Sequence, residues 1–153
     1  MPNTSLLRVL ASGEIVSGQE LADALGVSRT AVWKQLNKLS ELGLEIESVK
    51  GRGYRIPGGI DLLWDTDVRA AMGAQALNLL DQLELCDSID STNARAMAAI
   101  EAGRGRGYVC SAEQQSAGRG RRGRQWVSPY ARNLYLSAVW EYEGGAAVLE
   151  GMS

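Results

Sequence analysis

The stretch "SGQELADALGVSRTAVWKQLNKLSELG", residues 17–43, decides the fold of the first part of the chain. Ser17 followed three residues later by Glu20 is a capping box, so a helix is expected to begin here. Gly26 predicts a tight break, and Ser28 can cap a second helix whose outer face is polar. Two short helices around a glycine turn predict a helix-turn-helix.

Apolar residues at helical spacing before and after the turn supply the predicted core. Gly43 suits the left-handed residue that ends the second helix. The residues that form the buried stripes, including those of a preceding helix, are Leu6, Val9, Leu10, Leu21, Leu25, Val32, Leu36 and Leu39.

A β-hairpin is predicted directly after these helices. "LEIESV" (44–49) and "YRI" (54–56) alternate apolar and polar positions and are joined across "KGRG" (50–53). A basic, glycine-rich hairpin after a helix-turn-helix is the wing of a winged helix. The polar face of the second helix and the wing tip together expose the candidate DNA-binding residues Arg29, Thr30, Trp33, Lys34, Asn37, Lys38, Lys50 and Arg52.

The alternative is a three-helix unit that mediates protein contacts and whose charges are ordinary solvated surface. Residues 1–60 hold seven basic and six acidic side chains, so this part of the chain is not strongly basic. DNA binding is favoured by the helix-turn-helix geometry and by the clustering of bases on one face.

Beyond "IPGGI" (56–60) the pattern changes to strands alternating with helices. "DTDVRAAMGAQA" predicts one short helix capped near Thr66, and "ARAMAAIEAG" predicts another. "DQLELCDSI", "GYVCSAE" and "NLYLSAVWEY" predict three strands. The expected fold is α+β: a winged helix at 1–57, a linker at 58–64 and an incomplete mixed α/β domain at 65–153.

Composition narrows the possible chemistry. The chain of 153 residues has a net charge of −2 and no histidine, which excludes Ser-His-Asp and Cys-His nucleophiles and the usual zinc sites. Cys86 and Cys110 lack CxxC spacing and predict reduced thiols, so no resident metal is expected. No signal peptide or membrane-spanning run is evident, which predicts a cytoplasmic protein without a membrane partner.

A second stretch, "SAGRGRRGRQW" (116–126), holds four arginines and three glycines with no acid among them. Gly118, Gly120 and Gly123 spell GxGxxG, but "QWVSPYARN" follows where a Rossmann motif needs a helix. A basic arm for nucleic acid and a plain solvent loop are the alternatives. Because the stretch lies between two predicted strands and gathers like charges, we interpret it as a clamp that orders on an anionic ligand.

"DSTN" (90–93), "EQQSAGRGRRGRQWVSP" (113–129) and "NLYLS" (133–137) together closely resemble the biotin protein ligases. "SRTAVWKQLNKL" and "KGRGYRI" resemble the winged helix of the bifunctional class, which also represses the biotin operon. The resemblance covers nearly the whole chain. It implies that biotin and ATP, with Mg²⁺, form biotinoyl-5′-adenylate, and that a lysine of biotin carboxyl carrier protein then attacks this intermediate.

The resemblance also implies roles for particular residues. Ser91, Thr92, Asn93 and Gln115 would line the biotin pocket, with Gln114 as the alternative to Gln115. Arg119, Gly120 and Arg121 would clamp the biotin carboxylate and the adenylate phosphate, Arg119 and Arg121 being the catalytic candidates. The remaining residues of the phosphate-binding loop would be Gly118, Arg122, Gly123, Arg124 and Trp126. Operator DNA and a second copy of the full-length protein are the other implied partners.

The family continues with a "KWPND"-type segment, more sheet and a small β-barrel, none of which is in these residues. The chain therefore resembles an amino-terminal portion, and we expect it not to make biotinoyl-adenylate at a useful rate by itself. The alternative function is a winged-helix transcriptional regulator whose second half senses a ligand or has decayed.

Overall fold

A computed structural model describes residues 4–120, 122 and 124–143. The first part comprises three helices and a hairpin, and the second comprises three helices and three strands. The helices are α1 (Thr4–Leu10), α2 (Gly18–Leu25), α3 (Arg29–Glu41), α4 (Asp65–Ala71), α5 (Ala74–Leu79) and α6 (Thr92–Glu101). The strands are β1 (Glu47–Val49), β2 (Gly53–Arg55), β3 (Gln82–Cys86), β4 (Tyr108–Ala112) and β5 (Tyr135–Ala138).

The predicted helix-turn-helix and wing are confirmed. The Ser17 hydroxyl accepts from the Glu20 N–H while the Glu20 carboxylate accepts from the Ser17 N–H, which completes the capping box before α2. Gly26 ends α2 in the left-handed conformation, and the Ser28 hydroxyl caps α3. β1 pairs with β2 in antiparallel register, and Val16 bridges to Tyr54, so the wing adjoins the start of α2.

The core of this first part is formed by α1, α2, α3 and the residues that flank the wing. All three α3 residues predicted to face it, Val32, Leu36 and Leu39, are buried. The cluster also contains a residue from far along the chain, Tyr130, which is 2% exposed. Ile60, in the predicted linker, is buried in the same cluster, and its N–H donates to the Ala11 carbonyl at 2.9 Å.

The second part is a mixed sheet with strand order β3-β4-β5. β3 and β4 are parallel and connected through α6, whereas β4 and β5 are antiparallel. The three predicted strands are thus present among the described residues. α6 packs on β4 and β5, and the buried cluster between them contains Ala96, Ala99, Tyr108, Cys110 and Val139.

One helix prediction was wrong. The segment expected to form a single helix capped near Thr66 forms α4 and α5, which are separated by Met72 and Gly73 in extended conformation. Thr66 lies inside α4, and its hydroxyl bonds to the Asp67 carboxylate instead of capping the helix. Trp64 occupies the cap position without a side-chain bond, while the guanidinium of Arg8 lies 5.0 Å from its ring centroid.

Candidate functional site

A cavity of about 600 Å³ lies where the parallel strands β3 and β4 end. The segments that follow these two strands run side by side, because the Ile89 N–H donates to the Gln114 carbonyl and the Ser116 N–H to the Ile89 carbonyl. The start of α6 and strand β5 close the other sides of the cavity. The carboxyl ends of parallel strands are the usual position of ligand crevices in α/β folds.

Two polar side chains of the cavity wall are hydrogen-bonded to each other. Gln115 Oε1 accepts from the Thr92 N–H at 2.8 Å and from the Thr92 hydroxyl at 3.0 Å. The Gln115 N–H in turn donates to the Ser128 hydroxyl at 2.7 Å. Of the two glutamines left open by the sequence, Gln115 lines the cavity, whereas the amide of Gln114 donates to the Ser128 carbonyl.

The other two residues of the predicted "DSTN" group also line the cavity. Ser91 caps α6, since its hydroxyl accepts from the Ala94 N–H, and its own N–H donates to the Asp90 carboxylate at 2.7 Å. Asn93 is exposed at the cavity wall. Capping the helix and lining the cavity are therefore compatible tasks for this group.

The arginine-glycine stretch passes over one side of the cavity. Arg119 lines it and is exposed, and its guanidinium forms no ion pair with any of the residues that the structure describes. Arg122 and Arg124 are exposed too, and Arg122 has a positive φ of 59°. Arg121 and Gly123, both predicted site residues, lie outside the described residues.

Glycines in this stretch allow close approach of the backbone to neighbouring atoms. A Cβ on Gly118 would overlap the ring of Trp126, and a Cβ on Gly120 would overlap the Arg124 carbonyl. The Trp126 ring lines the cavity, and its centroid lies 6.4 Å from that of Tyr135. The stretch therefore folds back on itself and brings its last aromatic residue beside its first glycine.

Strand β5 contributes cavity residues that sequence reasoning did not single out. Ser137 lines the cavity and donates a hydrogen bond to the Thr92 hydroxyl oxygen at 3.0 Å. Leu134, Tyr135 and Leu136 line it as well. The "NLYLS" motif that contains them was available as a signal, but nothing in its spacing shows which side chains face α6.

The eight predicted DNA-binding residues are all exposed, and α3 and the wing tip carry them. The basic ones, Arg29, Lys34, Lys38, Lys50 and Arg52, form no ion pair within the described part of the chain. Arg29, Thr30 and Trp33 border a surface cavity with Tyr54 of the wing. The structure thus brings the start of α3 and the wing to one face.

Acidic groups lie buried between the two parts of the chain. Glu113, 7% exposed, follows β4 and accepts from the Leu63 N–H at 2.6 Å through its carboxylate. Burial, with a further contribution from the nearby Asp87, raises the pKa of Glu113 above its usual range. The Tyr130 hydroxyl donates to Asp87 Oδ1, while Asp87 Oδ2 is buried without a partner among the described residues.

The cysteines take no part in the cavity. Burial, assisted by the neighbouring Cys86, raises the pKa of Cys110 to about 12, so this thiol stays protonated at neutral pH. Within residues 4–120, 122 and 124–143, no three acidic or cysteine side chains group as metal ligands would. No helix in the same residues is long and apolar enough to span a membrane.

Comparisons with known proteins assign each half of the chain to a family. Residues 3–55 match the model of a family described as HTH domain. Residues 85–152 match that of the Biotin/lipoate A/B protein ligase family. The chain is therefore a helix-turn-helix domain followed by part of a domain of this ligase family.

Curated relatives contain both halves in one protein. "Bifunctional ligase/repressor BirA" of Escherichia coli (strain K12) is 41% identical over 150 residues, which are 97% of this chain and 44% of that protein. The protein of the same name from Salmonella typhimurium (strain LT2) is 40% identical over 149 residues, with the same coverage. That of Bacillus subtilis (strain 168) is 33% identical over 129 residues, 84% of this chain and 39% of the relative. The chain spans less than half the length of these relatives.

Proposed function

Because this chain is a homologue of the amino-terminal part of BirA-type bifunctional ligase/repressors, we propose that it supplies the operator-binding domain and the biotin pocket of a biotin protein ligase. The observation that carries this proposal is the cavity in which Gln115, Thr92 and Arg119 meet, joined in one chain to a winged helix. The proposed division is a DNA-binding domain at 1–57, a linker at 58–64 and a catalytic domain from 65.

The proposed reaction has two steps. A biotin carboxylate oxygen attacks the α-phosphorus of ATP, the bond to the bridging oxygen breaks, and pyrophosphate leaves with Mg²⁺. A lysine amine of biotin carboxyl carrier protein then attacks the acyl carbon, loses a proton and releases AMP. Both reactants of the first step are anions, so catalysis depends on cancelling their repulsion and aligning them.

The arginine-glycine stretch suits the first step. Arg119 is exposed, unpaired among the described residues and at the cavity, so its guanidinium is available for the carboxylate or the phosphate. We assign the same clamp to Gly120 and Arg121, and assign steering of ATP and pyrophosphate to Arg122 and Arg124. Trp126 and Gly118 would hold the base of the loop through the close contact between them.

The polar wall opposite the arginines suits the biotin ring. Hydroxyl and amide groups of Ser91, Thr92, Asn93 and Gln115 can pair with a ureido group, which offers two donors and one acceptor. The proposed use of ATP and of a carrier protein places the protein in the cytoplasm. A homodimer on operator DNA is the proposed repressing form.

Isothermal titration of the chain with biotin, and then with biotinoyl-adenylate, tests the pocket. We expect one equivalent of each to bind, and Arg119→Ala to weaken the adenylate by roughly tenfold or more, as loss of a charge-assisted hydrogen bond does. Arg121→Gly should leave biotin bound and let the adenylate dissociate faster. Arg132→Ala is the control, since Arg132 is exposed but not at this cavity. If the chain binds neither compound, the ligase assignment of its second half is wrong.

A second candidate function is a winged-helix regulator without ligase activity. The observation in its favour is the exposed, unpaired basic face of α3 and the wing, which is independent of any chemistry at the cavity. Binding to duplex DNA over a range of salt concentrations tests this face. Lys34→Ala should reduce the salt slope by about 1, as loss of one phosphate contact does.

The control for the DNA experiment is Arg69→Ala. Arg69 lies on α4 and pairs with Asp65, so its loss should leave the salt slope unchanged. Equal effects of the two substitutions would contradict a DNA-binding face on α3. DNA binding without biotin binding would favour the regulator over the ligase.

A further inference from the structure

Three side chains from separate segments form a continuous hydrogen-bonded chain at the cavity wall. Ser137 of β5 bonds to the hydroxyl of Thr92 at 3.0 Å, and the Thr92 hydroxyl bonds to Gln115 at 3.0 Å. Thr92 is 4% exposed, so its hydroxyl depends on these partners in place of water. The chain therefore connects strand β5 to the segment that follows β4 through the first turn of α6.

The direction of each hydrogen bond follows from one backbone group. The Thr92 N–H also points at the end of the Gln115 amide, 2.8 Å away, and a backbone N–H can only donate. The amide atom facing Thr92 is therefore the oxygen, whichever way the amide might otherwise be assigned. Since this oxygen only accepts, the Thr92 hydroxyl must donate to it. Only lone pairs then remain on Thr92 Oγ1, so the Ser137 hydroxyl must donate to them.

The opposite end of the Gln115 amide is consequently turned away from Thr92. Gln115 lines the cavity, and its Nε2 forms no hydrogen bond with any residue in the described ranges. Two N–H donors are thereby available to a ligand on this side of the cavity. A ligand with a carbonyl-type oxygen in its ring can accept from them, whereas a purely apolar ring cannot.

Ser137 discourages the other orientation of the amide. A flipped Gln115 would need an acceptor for its Nε2 near Thr92, and the lone pairs of Thr92 Oγ1 are the nearest candidates. The proton donated by Ser137 occupies that position, so a flip would lose two hydrogen bonds and leave a donor without a partner. Without the Ser137 hydroxyl, the flipped amide could bond to Thr92 Oγ1 and turn its oxygen toward the ligand.

We propose that Ser137 is a positioning residue: through the Thr92 hydroxyl it holds the Gln115 amide with its N–H donors directed at the ligand. It thereby selects for an acceptor such as the ureido oxygen. This inference rests on the proposed function for the identity of the ligand, but not for the orientation of the amide.

Binding measurements with two ligands test the positioning role. Biotin carries a ureido oxygen in its ring system, whereas the dithiolane ring of lipoate has no strong hydrogen-bonding group. Ser137→Ala should weaken biotin binding roughly tenfold, the usual loss for one hydrogen bond, and leave lipoate binding unchanged. Ser137→Thr keeps the hydroxyl and should restore biotin affinity. An equal loss for both ligands would show a general defect of the cavity and overturn the proposal.

A double-mutant cycle separates action through Thr92 from direct contact with the ligand. Thr92→Val removes the hydroxyl but keeps the shape and the backbone N–H. In that background Ser137→Ala should cost nothing further, because its partner is gone. Additive losses would mean that Ser137 contacts biotin directly, which would contradict its role as a positioning residue.

Nuclear magnetic resonance of the ligand-free chain distinguishes failure of this inference from failure of the proposed function. The side-chain amide resonances of Gln115 should shift in Ser137→Ala and in Thr92→Val. They should remain in place in Ser116→Ala, whose hydroxyl bonds only to the Ile89 carbonyl outside the chain of three side chains. Unchanged Gln115 resonances in Ser137→Ala would overturn the inference. Shifted resonances in a chain that binds no biotin would support it while contradicting the ligase function.

Discussion

The two halves of the molecule differ in how completely their apolar side chains are buried. Among the described residues, twelve form the buried cluster of the winged helix, including five leucines from α1 and α3, whereas five form that of the β3-β4-β5 sheet. Three of those five are alanine or cysteine. The winged helix therefore has a core of large side chains, and the sheet has a thin one.

The exposed surface shows the same contrast. Large apolar side chains stay exposed on the second half, at Met97, Ile100, Leu134, Leu136, Trp140 and Tyr142. Trp33 is the corresponding exposed side chain on the described part of the winged helix, and it lies on the proposed DNA-binding face. Burial of apolar area is the main source of stability, so most of the folding free energy of this chain should come from its first half.

The largest expected effect comes from the winged-helix core. Leu36 is 3% exposed at the centre of the α3 stripe, and Leu36→Ala should lower the free energy of unfolding by about 2–5 kcal/mol. Urea denaturation followed by circular dichroism measures the change. The matched substitution in the second half is Met97→Ala on α6, where the side chain is 52% exposed and the loss should be within about 0.5 kcal/mol. A comparable loss for Met97→Ala would show that the exposed face is covered in solution.

The next largest effect is expected in the wing, where two glycines differ in their surroundings. Gly53 has a φ of 141°, and a Cβ there would overlap the Val16 backbone. Gly53→Ala should therefore separate β2 from the start of α2, destabilise the chain by about 2 kcal/mol or more, and weaken DNA binding.

Gly51 is the control for the wing. Its φ is also positive, at 74°, but no atom lies within 4 Å of an added Cβ. Gly51→Ala should cost only the backbone strain of about 1 kcal/mol. Thermal unfolding of both variants checks the difference. Equal losses would mean that the contact between wing and α2 contributes nothing to stability.

Local patterns were sufficient to predict the first half. Ser17 with Glu20, Ser28 before α3, and Val32, Leu36 and Leu39 at helical spacing each act within one or two turns of chain. Such short-range chemistry is written directly in the sequence. The register of β1 and β2 followed from the short basic tip between them.

Long-range contacts could not be predicted in the same way. Tyr130 comes just after the arginine-glycine stretch, yet it is buried in the winged-helix cluster, and no local pattern signals a contact across so much chain. The choice between Gln114 and Gln115, and the part played by Ser137, depended on which side chains meet when β5 pairs with β4. The break between α4 and α5 was missed because Gly73 was treated as tolerable inside a helix.

The smallest expected effect is at Glu113, on the boundary between the two halves. The groups that face its carboxylate are the Leu63 N–H, Asp87 and Tyr130, and a surface cavity on its other side contains Asp61 and Arg132. Burial and Asp87 raise the pKa of Glu113 in the folded chain, so the folded state holds this proton more tightly than the unfolded state. The stability that comes from the protonated carboxyl is full below its unfolded pKa and is lost as pH rises through the folded value.

Glu113→Gln removes the ionisation but keeps an oxygen that can accept from the Leu63 N–H. The variant should be more stable than the parent at pH 7–8, by a few degrees in Tm at most, and the difference should vanish toward pH 4. Glu101→Gln, on the exposed end of α6, should give no such pH-dependent gain. If Glu113→Gln lost stability at every pH, its carboxylate would hold the two halves together as an ion, and the boundary would resemble the well-packed core of the winged helix. A gain confined to neutral pH would instead show that ionised Glu113 strains the boundary.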